Sequence, residues 1–184
     1  MLARSTLRAA LLATVVAGLA SAAEAKNPRV GGAPMFENKN IVENAVNSKD
    51  HTTLVAAVKA AGLVDTLSSP GPFTVFAPTN AAFAKLPAGT VETLVKPENK
   101  ATLTKILTYH VVPGTYTSKE LTALAKKGGG QAELKTAEGS NLAVISKSGR
   151  LYVADSKGNT ARITTANVIQ SNGVIHVIDK VEMP

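Results

Sequence analysis

Three histidines, His51, His110 and His176, are the side chains best suited to proton transfer near neutral pH, and with Cys absent they are also the natural starting point for a metal centre. Their placement supplies neither chemistry. His51 stands near a helix start, His110 ends a helix and His176 lies in the last strand, so no two have the spacing at which ligands share a face. Only the fold can bring His110 and His176 together, and a pair of hydrogen-bonded core histidines is expected in preference to a metal or catalytic site. Nucleophile motifs are missing too: there is no Gly-x-Ser-x-Gly elbow, no His-Glu-x-x-His helix and no Ser-x-x-Lys with its partner motifs. The run Gly128-Gly129-Gly130 lacks the preceding strand and the Gly-Lys-Ser/Thr ending of a phosphate loop, and reads as a flexible loop. Carboxylates paired for glycoside hydrolysis are a property of the fold, not of spacing. The absence of Cys excludes thiol catalysis and redox switching. The expectation is a protein that is not an enzyme, with no catalytic residue, cofactor or metal.

The elements that must position these residues fall into two halves. From Ile41 the pattern is helical. Ile41, Val42 and Ala45 share a face, then Asp50 is placed to cap a second helix in which Leu54, Val58 and Ala61 recur at helical spacing until Gly62 stops it. A strand is expected at 73–76, followed by Ala77-Pro78-Thr79-Asn80, where Pro blocks ladder pairing and Thr or Asn caps the next helix. Short helices are predicted at 80–85 and 90–95. A better-defined one follows Pro97 and puts Leu103, Ile106, Leu107 and His110 on one buried face. The capping box Thr117-Ser118-Lys119-Glu120 opens another, which frays into Lys126-Lys127 and the three glycines. The period then changes to two. Strands are predicted at 131–136, 141–146, 150–154, 162–166 and 174–178, separated by Glu138-Gly139, Ser148-Gly149 and Lys157-Gly158-Asn159 turns. Asn172-Gly173 is expected to form a turn that needs positive φ at glycine. Helices first and strands after them predict an α+β domain.

Three segments also carry a resemblance. FTVFAPTNAAF, residues 73–83, holds Phe73, Phe76, Pro78, Asn80 and Phe83; YHVVPG, residues 109–114, holds Tyr109 and His110; NVIQSNGVIHVIDKVEMP, residues 167–184, holds Asn172, Gly173 and His176. In this order and at these spacings they resemble the signature blocks of the fasciclin-like (FAS1) domain family, over residues 38–184. The resemblance implies a compact β-wedge or sandwich of about seven strands flanked by several helices. With no internal repeat, it implies one module. It further implies noncovalent recognition, in the form of cell adhesion or contact with a cell surface or matrix. Family modules that bind integrins are credited with Asp-Ile and Tyr-His motifs flanked by aliphatics. Here Asp65 in Val64-Asp65-Thr66-Leu67 and Asp179 in Ile178-Asp179-Lys180-Val181 lack the following Ile, whereas Tyr109-His110 matches. Asp65, Tyr109, His110 and Asp179 are therefore the recognition candidates, with Tyr-His on an apolar helix face expected to be largely buried. Some members of the superfamily carry apolar pigments such as carotenoids in a tunnel between helices. A soluble carrier is thus the alternative, with Leu54, Val58, Leu63 and Val64 as walls; the same residues also read as the core of the second helix and its exit.

Residues 1–25 stand apart. Arg4 and Arg8 precede an apolar stretch at 9–20, and Ala23-Glu24-Ala25 offers small residues for cleavage before Lys26, the pattern of a secretory signal peptide. The apolar run is shorter than the roughly 18–20 residues of a bilayer span, so no stable membrane span is expected after cleavage. Residues 26–37 mix Pro and Gly without a period and read as a flexible leader. The mature chain is expected to be periplasmic or secreted. The net charge is +7, from 20 Lys and Arg against 13 Asp and Glu; without Arg4, Arg8 and Glu24 the balance is 18 to 12. The cations are spread out, with the densest spots at 126–127 and 147–150, and aromatics make up 4% of the chain, which excludes a nucleic-acid surface. An anionic polysaccharide, lipid headgroup, surface protein or matrix component is the class of partner that an exported basic domain attracts.

Overall fold

The structure, a computed structural model, describes residues 27–184; the expected signal peptide, 1–25, lies outside the described residues. In chain order the elements are β1 (Arg29–Val30), β2 (Ala33–Pro34), α1 (Ile41–Ala45), α2 (Thr52–Ala61), α3 (Val64–Ser68), β3 (Phe73–Pro78), α4 (Asn80–Ala84), α5 (Thr90–Leu94), a 3-10 turn (Pro97–Asn99), α6 (Lys100–Tyr109), β4 (Val111–Pro113), α7 (Ser118–Lys127), β5 (Gln131–Lys135), β6 (Asn141–Lys147), β7 (Arg150–Ala154), β8 (Thr160–Gln170) and β9 (Gly173–Ile178). The large sheet has seven strands in the order β4-β3-β9-β8-β7-β6-β5. Its two ends meet where the Ala137 N–H donates to the Val111 carbonyl at 2.7 Å, so the sheet curls almost into a barrel.

Within it, as second and third strands, β3 and β9 run parallel and pair residue for residue, from Phe73 opposite Gly173 to Pro78 opposite Ile178. Parallel neighbours need a crossover, and here nearly the whole helical and hairpin content of the chain provides it. Alternation along both strands divides the core. Val75, Ala77, Ile175 and Val177 face the helices α1 to α6, together with Leu54, Val58, Leu103 and Leu107. Phe76 and Ile178 face the other way, into a second cluster closed by Leu121 of α7 and by Leu142, Val144 and Val153. Strand β9 is therefore buried on both faces, which is why it reads as an almost unbroken apolar run.

Several elements differ from expectation. The stretch 26–37 is not a flexible leader throughout: β1 and β2 form a small hairpin, and Val30 and Met35 belong to the helix-side core. Apolar side chains isolated among Gly and Pro have no period to betray them. Asp50 does not cap α2; the donor at the helix start, the Thr53 N–H, is met at 3.0 Å by the Asn80 side chain, from the far side of the signature segment. Helix α3 and strand β4 are short elements with no visible period. Strand β3 runs through Pro78, whose missing N–H falls at the last rung. The two-residue loop of the β8–β9 hairpin is Ser171-Asn172, since Gln170 pairs with Gly173. Gly173 is thus the first strand residue, and it is not among the positive-φ glycines.

Candidate functional site

The residues of the three sequence blocks converge around strands β4, β3 and β9, where they are consumed in holding the fold. Phe76 and His176, opposite each other in register, stack at 5.7 Å and 26°. The His176 Nε2–H donates to the Tyr116 carbonyl at 2.7 Å, tying β9 to the segment ahead of α7. Across β3, His110 is buried at the end of α6: its Nδ1–H donates to Ile106 O at 2.8 Å, which leaves Nε2 to accept the Glu182 N–H at 3.1 Å. Burial lowers the proton affinity of both histidines, that of His110 to about 4, against the smaller opposing pull of the Ile106 carbonyl. Both rings are neutral near pH 7. They are bonded to backbone on opposite sides of β3 rather than to each other, so the expected pair is two separate anchors. Tyr109 is fully buried and its hydroxyl donates to Asn141 O at 2.9 Å, joining α6 to β6.

Two asparagines serve as clamps. Asn80 receives the Thr53 N–H and donates to Lys49 O and the Thr52 hydroxyl, fixing the start of α2 against α4. Asn172 accepts the Ile41 N–H at 3.0 Å and donates to Leu67 O at 2.8 Å and Ser69 O at 2.9 Å, so one hairpin side chain closes α1 and α3 onto the sheet. Phe73 is half-buried; Pro78 and Phe83 are buried.

Of the recognition candidates, Tyr109 at 0% and His110 at 3% exposure present no surface to a partner. Asp179 is half-buried, and its Oδ1 accepts the Arg162 N–H at 2.8 Å. Asp65, in the first turn of α3, is exposed.

Three further features stand out, and the first bears on the carrier alternative, three of whose four expected wall residues line it. Between α1, α2, α3 and the sheet lies an apolar cavity of about 50 Å³, whose walls include Leu54, Val58, Val64, Ile41 and His51. Leu63 does not line it. The His51 Nδ1 bonds Ser48 Oγ at 2.9 Å, while its Nε2 has no hydrogen-bond partner among the described residues. Second, both carboxylate oxygens of Glu182 are buried without partners beside Asp155, and burial followed by that neighbouring charge pushes the carboxyl up to about 8. Third, an open groove of about 490 Å³ runs between the start of α7 and strands β7 and β8, with Arg150 and Arg162 on its walls. The second and third are meetings of distant segments and have no local pattern. Among the described residues no cluster of three or more His, Cys, Asp or Glu is placed to hold a metal, and no helix is long and apolar enough to cross a membrane.

A curled seven-stranded sheet with its signature side chains spent on internal bonds defines a module of the α+β, FAS1-fold class. A solved FAS1 domain pair from the insect cell adhesion molecule fasciclin I shares that fold, with a TM-score of 0.69 at 21% identity over 78% of this chain and 50% of that one. The model of the fasciclin domain family matches residues 49–184. The chain belongs to the fasciclin domain family. Among its relatives, protein sll1483 of Synechocystis is 52% identical over 78% of this chain and 73% of its own length. Immunogenic protein MPB70 of Mycobacterium bovis is 39% identical over 76% of this chain and 66% of its own.

Proposed function

We propose that this is an exported bacterial FAS1 module acting by noncovalent recognition, as an adhesion or surface-contact protein rather than an enzyme. The carrying observation is that Phe76, Tyr109, His110, Asn172 and His176, the residues that mark the chain, are all buried in the framework, so what it offers to a partner is its outer surface. That surface is cationic, and Lys105–Glu138 at 3.7 Å is the one ion pair among the described residues, so most basic groups face solvent without a carboxylate partner. The N-terminal pattern of residues 1–25 and the kinship with proteins of Synechocystis and Mycobacterium support export from a bacterium. The test is retention of the mature protein on cells or envelope fractions of its own organism. Saturable, salt-sensitive retention is expected; equal retention on an inert anionic resin and on cells would sink the reading.

The apolar cavity keeps a second reading in play, a carrier of a small apolar molecule, because Leu54, Val58 and Val64 do line it. Its volume is several-fold below the roughly 300 Å³ at which small-molecule sites begin, so a pigment requires α1 and α2 to part. Native mass spectrometry with an absorption spectrum on protein purified from the exported fraction decides: an adduct or a visible band favours carriage, and a bare apo mass removes it.

A further inference from the structure

The two densest basic spots of the sequence have different surroundings in the fold. Lys126-Lys127 lies at the open end of α7. Arg150 stands at the start of β7 opposite Lys147 in register, and it shares the groove with Arg162 of β8. Both arginines are exposed, and neither takes part in an ion pair among the described residues. No carboxylate side chain lines the groove. The nearby Asp179 is occupied by the Arg162 backbone N–H.

Three hydroxyls, of Ser118, Thr122 and Thr164, line the same groove. Ser118 Oγ accepts from Asn167 Nδ2 at 2.7 Å and keeps its proton free to donate. Thr122 and Thr164 give their protons to Ser118 O and Val177 O, and keep lone pairs free to accept. Leu151 and Ile163, both half-buried, supply apolar floor. Its volume of about 490 Å³ falls within the range of roughly 300–1,000 Å³ typical of ligand sites.

Forked cations for carboxylate or sulfate, mixed donors and acceptors for hydroxyls, and an apolar strip for sugar C–H faces are the three chemistries of one ligand class. We propose that the groove between α7 and the β7–β8 strands binds an acidic polysaccharide, with Arg150 and Arg162 taking its acid groups. This rests on the recognition reading above and names the partner's chemistry. A nucleic acid is disfavoured because the groove holds no aromatic ring for base stacking.

The test is titration of the mature protein with a polyuronate and with neutral dextran of matched length, at low and physiological salt. Binding of the polyuronate alone, weakening with salt, is expected. The variant R150Q/R162Q is expected to bind about tenfold more weakly or worse, whereas K126Q/K127Q, with the same change in charge, stays within about twofold of wild type. R150K/R162K keeps the charge and loses the fork, and is expected to fall between. Thermal melts establish that each variant is folded. Equal losses in the two Gln variants would mean diffuse charge attraction and overturn the site, as would equal binding of dextran. No polyuronate binding alongside retained binding to envelope fractions overturns the groove but leaves the recognition reading; loss of both overturns both.

Discussion

The backbone N–H of Glu182 is held at 3.1 Å by the Nε2 of His110, 72 residues earlier in the chain, while the carboxylate of the same Glu182 is buried with no partner. One residue of the last segment is therefore fastened through its backbone and strained through its charge. The two halves of that relationship respond to pH in opposite directions.

His110 has its proton affinity lowered by burial to about 4, below the unfolded value near 6.5, so it stabilises the fold above pH 6.5 and this contribution is lost as pH falls toward 4. At about 1.4 kcal/mol per pKa unit, the loss is on the order of 3 kcal/mol. His51 and His176 are lowered too and add to the same acid slope. His110→Gln is expected to cost about 1–3 kcal/mol at pH 7 and to flatten, without abolishing, the fall in stability between pH 6.5 and 4. Urea midpoints at several pH values check it; an unchanged acid slope would show that the ring is not buried neutral.

Glu182 works from the other side. Its carboxyl is raised from 4.5 to about 8, first by burial and then by Asp155, so the folded state favours the protonated form. The stability present below pH 4.5 is lost as pH rises to about 8. Glu182→Gln, a neutral isostere, is expected to remove that loss: the variant should exceed wild type in melting temperature at pH 8.5 and converge with it near pH 5. A constant difference at both pH values would rule out titration as the cause.

Much of this framework was legible in the sequence, and the exceptions share a physical reason. Strand β7 is found at 150–154 as expected, and α7 opens at the Thr117/Glu120 capping box, because hairpin turns and caps are local chemistry. The residue-for-residue pairing of β3 with β9 lies behind the two matched blocks almost a hundred residues apart. What could not be read is what distant segments decide. Asn80 serves the start of α2 in place of Asp50, because the helix begins at Thr52 with His51 as its N-cap, one residue beyond Asp50, and the Thr53 N–H is met from across the fold. The Arg150–Arg162 groove and the lone carboxylate of Glu182 exist only once α7, β8 and the last residues are packed together.

Asn172 joins three backbone groups that would otherwise be left without partners. Removing its amide in Asn172→Ala leaves the Ile41 N–H and the Leu67 carbonyl buried and unpaired, at a cost of about 2–4 kcal/mol. Asn172→Asp is the sharper probe. It keeps the acceptor for Ile41 but turns a carboxylate oxygen toward the carbonyls of Leu67 and Ser69, so it should be no better than Ala. Denaturant unfolding of both measures this, and an Asp variant as stable as wild type would contradict the two donor bonds.

The Asn172-Gly173 pattern predicts a positive φ at Gly173, and the structure gives that glycine a different necessity. Its φ is ordinary, but a Cβ there would fall on the Phe73 carbonyl oxygen, with the carbonyl carbon at 2.9 Å and the Phe73 nitrogen at 3.0 Å. Backbone cannot rotate out of the way as a flexible side chain does, so even Ala must push β9 away from β3 at the sheet's parallel pair. Gly173→Ala is expected to cost about 3 kcal/mol or more, the upper end of overpacking. Gly139 provides the contrast, with φ +106° but nothing within 4 Å of an added Cβ. Gly139→Ala therefore suffers the conformational penalty alone, about 1 kcal/mol. The order of the two variants in denaturant midpoint separates the explanations: if Gly173→Ala costs no more than Gly139→Ala, the strands are not packed backbone to backbone at Phe73. If Gly173→Ala is the more damaging, the signature glycine is there to let β3 and β9 touch.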